Sequence, residues 1–218
     1  MPESVYQDLE FPPAPADRPM VFINMVSTID GKILSGGRNE PVHLGSAADQ
    51  ATMHALEGMA DGVLIGAGTL RATPRINIPK HVSRFCATAS GKVDAGHNFF
   101  TDAPDKARLI TTSGVESTVP KLECGESEVD WPLAMTKIKE LGIEKLLCEG
   151  GSELNASLLT LDIVDEIFLT MAPKIRLGRD IPTIAGGDAL EKEHLLRFTL
   201  VSVLPVGDEV FLRYRRHR

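Results

Sequence analysis

Twice along this chain a short apolar run stops at a glycine turn and resumes as a helix-like pattern. The first is DGVLIGAGTL, Asp61 to Leu70, and the second is KLLCEGGSELNASLL, Lys145 to Leu159. Strands that alternate with helices in this way belong to an α/β fold with a mostly parallel central sheet. In the second run Gly150 and Gly151 let backbone approach a ligand with no Cβ in the way. Ser152 then opens a helix whose free N–H groups point back at the turn. Such a turn is an anion site or, equally, a plain strand-to-helix connection, because glycine pairs are common turn punctuation. The first turn offers Gly66, Gly68 and the Thr69 hydroxyl at another strand end, and two such turns can serve one extended phosphate ligand.

The remaining pattern agrees with that class. FPPAPADRP, Phe11 to Pro19, cannot form a helix or a ladder, so residues 1–19 are expected to be an extended arm before a single domain over 20–218. MVFINMV, Met20 to Val26, is a strand that turns at Asp30-Gly31. Ser46 followed by Asp49 resembles a capping box, opening a helix with Met53, Leu56 and Met59 or Ala60 on one face. Strands are expected at Arg84–Thr88 and Arg108–Thr112, with GKVDAGHNFFTDAP between them as a loop. Asp130 caps a helix over Pro132–Leu141, stopped by Gly142, with Leu133, Ile138 and Leu141 inward. A helix over Ser152–Leu159 precedes a strand at Val164–Met171. RFTLVSVL, PVGD and EVFLRYR then close the chain as an antiparallel hairpin.

Several functions are excluded. A formal net charge of −7 leaves no surplus of cations for a nucleic-acid footprint. Cys86, Cys124 and Cys148 form neither a CxxC pair nor a disulfide framework and suit a reducing, cytoplasmic setting. No apolar run approaches membrane-spanning length, and the first residues have no export signal. His43, His54, His81, His97, His194 and His217 show no metal-binding spacing, so no metal is expected. The dinucleotide fingerprint fails because Arg71 stands where a third glycine belongs and Pro74 prevents a long helix. A Walker loop and a GxSxG elbow are also absent. Asp30 is placed to face a cleft or, as readily, is a solvated hairpin carboxylate.

Four segments together resemble the reductase domain of the riboflavin-biosynthesis deaminase/reductase family. They are NMVSTIDGKI (24–33), DGVLIGAGT (61–69), LLCEGGSELNASLL (146–159) and VDEIFLTMAPKIRLG (164–178) followed by IPTIAGG. The resemblance runs in order from Pro19 to Tyr214 and implies a dihydrofolate-reductase-like, three-layer fold. It implies NADPH-dependent reduction of a ribosylaminopyrimidine 5′-phosphate, turning ribosyl into ribityl, in a homodimer. By the same resemblance Gly66, Thr69, Ser90, Gly150, Gly151, Ser152, Glu153, Leu154 and Asn155 contact the cofactor. Asn24, Ser27 and Glu149 border the substrate, and Asp30 stabilises an iminium or helps deliver a proton.

The chain departs from that family in two places. An Asp-Asp-Pro and a basic residue are expected after the first glycine turn, whereas this chain reads Arg71-Ala72-Thr73-Pro74-Arg75-Ile76. Glu57 stands where the family carries a phosphate-gripping arginine, reversing the local charge. Arg71, Arg75 or Lys80 could take the phosphate, and Arg75 is retained as a substrate candidate; ordinary surface cations are the competing reading. HxE and PCxxC elements are absent, so the partner deamination is not expected here. Two alternatives stay open: reduction of another substrate, pterin-like or carbonyl, and a nucleotide-binding module without turnover.

Overall fold

The structure is a computed structural model and describes residues 3–6, 8–33 and 44–218. His43 and Leu34, the end of the STIDGKIL segment, lie outside these residues. The strands are β1 (Met20–Thr28), β2 (Gly62–Gly66), β3 (Ser83–Ala87), β4 (Ala107–Thr111), β5 (Lys121–Glu123), β6 (Lys145–Cys148), β7 (Glu166–Ala172), β8 (Phe198–Val206) and β9 (Glu209–Arg216). The helices are α1 (Ala47–Met59), α2 (Ala67–Ala72), α3 (Asn98–Thr101), α4 (Trp131–Glu140) and α5 (Ser152–Thr160). One sheet in the order β5-β4-β3-β2-β6-β1-β7-β9-β8 joins every strand. It is parallel from β5 through β7 and ends in the antiparallel pairs β7–β9 and β9–β8.

Both faces of the parallel part of the sheet are covered, which gives three layers. Leu56 of α1, Leu70 of α2 and Phe99 of α3 pack with Phe22, Val63 and Cys86 on one face. Trp131, Ala134, Met135 and Ile138 of α4 join Leu154 and Leu158 of α5 on the other. Strands buried on both faces must be apolar, as β2 is and as β6 is from Leu146 to Cys148.

The structure differs from the sequence reading in five places. Leu133 and Leu141 are exposed, because the turn that Asp130 caps directs Trp131, Ala134 and Ile138 inward instead. The segment expected to be a loop contains α3, which His97 caps by accepting the Phe99 N–H. The short strand β5 was not anticipated, and the strand expected at Val164–Met171 begins at Glu166 and ends at Ala172. Ser46 does cap α1, but its own N–H donates to Glu209 Oε1 of β9 at 2.7 Å rather than completing a local box. The fifth difference is at the start of the chain. Among the described residues the arm has no helix or strand, yet Tyr6 is buried edge-on to Phe168 with ring centroids 5.0 Å apart, and the partly buried Phe11 packs on Phe22 at 4.8 Å. Fully burying a large apolar side chain contributes about 1.5–3 kcal/mol, so the arm adds to the core.

Candidate active site

Because β3, β2, β6 and β1 run parallel, their carboxyl ends share one edge. Across that edge come Ser90, then Gly66 to Thr69, then Glu149 to Ser152, then Asn24 to Asp30. Ligands of open parallel sheets sit outside this edge. The chain therefore gathers its candidates where such a fold binds.

The two glycine turns are bonded to each other. Gly66 N–H donates to Gly150 O at 2.7 Å, and Glu149 N–H donates to Leu64 O at 3.0 Å. Gly150 has φ +73°, and a Cβ there would stand 3.0 Å from Met25 Sδ, so only glycine is accommodated. Gly151 is the N-cap of α5 and offers no side chain to the helix's first N–H groups, which leaves them for an anion. Thr69 Oγ1 borders the same turn, 3.5 Å from where a Gly151 Cβ would be.

Other candidates support the turn rather than face it. Leu154 is buried in the core. Asn155 is fully buried, with Nδ2 donating to Ile184 O at 2.7 Å and Oδ1 accepting from Cys148 Sγ at 3.4 Å. Those bonds draw the IAGG segment over the first turn of α5. Gly186 N–H donates to Ser152 O at 3.2 Å, and a Cβ on Gly186 would meet Glu153 Oε1 at 2.6 Å. Ser90 is exposed in the turn after β3 and accepts the Lys92 N–H at 3.4 Å. Ser27 is buried and Asn24 half-buried on β1.

Asp30 is a tether. Its carboxylate accepts from Thr28 Oγ1 at 2.6 Å, Arg176 N–H at 3.1 Å and Leu177 N–H at 2.8 Å. The Thr28 hydroxyl first, and then the Arg176 amide, hold its pKa down to about 2. An acid held ionised favours nearby positive charge but is a poor proton donor at neutral pH. Of the two roles expected for Asp30, only charge stabilisation suits this geometry. Arg75 is engaged at the surface, with Nε on Asn77 Oδ1 at 3.0 Å and Nη2 at 3.6 Å from Asp102.

Sequence reasoning missed an acidic wall beside the EGG turn. Glu57 of α1 is 2% exposed, and its Oε2 lies 2.8 Å from His54 Nδ1. Glu149 Oε1 is buried without a hydrogen-bond partner. Burial, partly offset by Arg84, pushes Glu57 up to about 8. Burial, and then repulsion from Glu57, put Glu149 well above the ordinary carboxylate range. Helical periodicity had assigned the inward face of α1 to apolar residues; the His54–Glu57 spacing of three was the available signal. Among the described residues, no group of three or more His, Cys, Asp or Glu is placed to hold a metal.

A two-faced, mostly parallel sheet with an antiparallel end and paired glycine turns at its carboxyl edge defines a dihydrofolate-reductase-like α/β protein. A dihydrofolate reductase of Enterococcus faecalis, solved with NADP(H), superposes at TM-score 0.56 with 12% identity over 91% of this chain and 97% of that one. The chain belongs to the RibD C-terminal domain family, whose sequence pattern matches residues 19–212. It is 28% identical to the 2,5-diamino-6-ribosylamino-4(3H)-pyrimidinone 5′-phosphate reductase of Methanothermobacter thermautotrophicus, over 90% of this chain and 98% of that protein. A pyrimidine reductase-like protein of Corynebacterium diphtheriae superposes at TM-score 0.77 with 21% identity, covering 93% of both chains.

Proposed function

We propose that this chain is an NADPH-dependent oxidoreductase of riboflavin biosynthesis, reducing the ribosyl group of a ribosylaminopyrimidine 5′-phosphate to ribityl. The observation that carries this reading is the Gly66–Gly150 bond, which joins two glycine turns into one cradle beside Glu149, one of whose carboxyl oxygens is buried without a partner.

The cradle fits a dinucleotide diphosphate: there is no Cβ at Gly150 or Gly151, an uncapped α5 start lies above, and a hydroxyl is available at Thr69. When bound, the nicotinamide supplies hydride to C1 of the opened sugar imine. The protein's part is to hold the two carbons in near-attack geometry, with Asn24, Ser27 and Glu149 bordering the pyrimidine. Asp30, held ionised, stabilises positive charge on the imine. We assign the substrate phosphate to Arg75, whose exposed pairing with Asp102 is weak enough to exchange. Preference for the 2′-phosphate of NADPH is assigned to Arg71 and Lys92 beside Ser90, since Arg71 Nη1 donates to Lys92 O at 3.5 Å.

We further propose a homodimer. The outer face of the β7-β9-β8 end carries the cross-strand rows Ile167–Tyr214–Leu200 and Leu169–Leu212–Val203, all partly or fully solvent-facing. An apolar face of this kind marks an interaction surface. The cytoplasm is the proposed compartment, with Cys86, Cys124 and Cys148 present as free, buried thiols. Among the described residues no helix is long and apolar enough to cross a membrane.

A second reading, reduction of a pterin-like or carbonyl substrate, is favoured by one observation: Glu57 is a buried acid where the resemblance expects an arginine. One assay separates the two. NADPH oxidation is measured with the ribosylaminopyrimidine 5′-phosphate in deaminated and undeaminated forms, and product mass is checked for a gain of two hydrogens. Turnover of either form supports the pathway reading. Silence with both, alongside measurable NADPH binding, moves the assignment to another substrate.

A further inference from the structure

We infer that His54, Glu57 and Glu149 form a proton relay from solvent to the reacting atoms, in which Glu149 hands the proton to substrate and Glu57 and His54 recharge it. The inference rests on the reductase reading, because reduction of an imine consumes a proton as well as a hydride.

The outer stage is a direct contact, and the helix that carries it, α1, packs against β6, the strand that ends at Glu149. His54 is open to solvent, with 53% of its side chain exposed, and its Nδ1 is 2.8 Å from Oε2 of Glu57, which is 2% exposed. Glu149 is the first residue past β6, and its Oε1 is sealed from solvent without a partner. A buried polar atom without a partner is costly, so that oxygen keeps its hydrogen-bonding capacity for a group brought to the site.

The other charge facing the pair does not neutralise it. Arg84 of β3 is 1% exposed and points Nη1 at Phe99 O, 3.2 Å, and Nη2 at Ile78 O, 2.7 Å. It acts on Glu57 from a distance and is itself acted on by Asp102 at the end of α3. Burial dominates for both acids, with Glu57 pushed up to about 8 and Glu149 well above its usual range, while His54 opposes the rise at Glu149. A carboxyl that keeps its proton at neutral pH can donate it, as Asp30 cannot.

The step balances. The imine nitrogen takes the proton of the Glu149 carboxyl, hydride from a reduced nicotinamide then reaches the iminium carbon, and the C=N π pair moves onto nitrogen. The imine is reduced to an amine, the nicotinamide is oxidised, and Glu149 is left as a carboxylate. Glu57 returns a proton to Glu149, and His54 returns one to Glu57 across the 2.8 Å contact and refills from water. The relay also gives a reason for an acid at position 57, where the resemblance expects an arginine.

The test begins without turnover. An infrared pH titration of the full chain should show a protonated-carboxyl band at neutral pH that disappears as pH rises. Because Glu57 also keeps a proton at neutral pH, the band should lose one of its two carboxyl components in Glu149→Gln, and the component left in Glu57→Gln, that of Glu149, should titrate at lower pH because the repulsion acting on it is gone; thermal melts confirm that the variants fold. Absence of the band in the folded wild-type chain overturns the relay, whatever the substrate proves to be. In turnover, His54→Ala should lower kcat about tenfold at unchanged NADPH affinity, with free imidazole restoring it. Glu57→Gln should move the alkaline limb of the kcat profile to lower pH. Wild-type kcat and pH profile in both variants overturns the relay even if the chain is a reductase. A wild-type chain that shows the band but turns over neither pyrimidine overturns the substrate reading, and the proton-sharing pair then stands on the titration.

Discussion

The floor of the cleft and its α1 wall are built on different principles. The floor is backbone: Gly66 N–H on Gly150 O, an uncapped α5 start, and a glycine at 150, where a Cβ would crowd Met25. The wall is side chain: His54 and Glu57 of α1 are in contact, Glu57 acts electrostatically on Glu149 at the end of β6, and Arg84 of β3 acts on Glu57. A backbone cradle binds any diphosphate of the right length, whereas buried acids discriminate by proton and charge. On the proposed function, the floor serves a shared cofactor and the wall selects what is reduced.

Four perturbations sharpen that contrast, the largest first. Glu149→Gln keeps the shape of the wall and removes its proton, so kcat should fall about a hundredfold while the NADPH dissociation constant stays within twofold. A matched loss of both would place Glu149 in the floor instead. Gly150→Ala should do the reverse. Strain at φ +73° and contact with Met25 should weaken NADPH about tenfold by fluorescence titration, whatever the remaining turnover.

The third prediction concerns stability. Glu57 is raised from 4.5 to about 8 in the folded chain, so between those values the folded state holds more protons than the unfolded one. Folding stability attributable to Glu57 is then lost as pH rises through that window. Glu57→Gln should accordingly gain on wild type between pH 5 and pH 8, by about 2 kcal/mol in urea denaturation. Equal gains at both pH values would mean that Glu57 is ionised throughout. Asp30 has the opposite sign and the smallest effect. Its carboxyl is lowered from 3.8 to about 2, so the tether to Arg176 and Leu177 is present above pH 4 and lost as pH falls toward 2. Amide exchange in residues 174–178 should speed up over that range in wild type and be insensitive to it in Asp30→Asn.

The same division explains what was legible in the sequence. Apolar runs ended by glycine announced β2 and β6, the PVGD turn announced the β8–β9 hairpin, and Gly150-Gly151-Ser152 marked the cradle, because each is a local pattern with a local cause. The four-residue α3 escaped because His97 and Asn98 hold it through contacts to Thr73 and Ile76, outside its own stretch. Leu133 and Leu141 were assigned inward by hydrophobicity, but the phase of α4 is set at Asp130 and Trp131. Burial of Tyr6 depends on Phe168, far along the chain. Glu57 was legible only as a charge in an unexpected place. Its burial follows from how α1 docks on β1 and β6, which no periodicity encodes.

The most direct test of the central claim follows the label from cofactor to product. The chain is given NADPH carrying deuterium at the transferable C4 position together with the ribosylaminopyrimidine 5′-phosphate, and the product is read by mass and NMR. The account predicts one deuterium on C1 of the new ribityl group from one of the two C4 stereoisomers and none from the other. Ribityl product without label, or oxidation of NADPH with the ribosyl group intact, would contradict it.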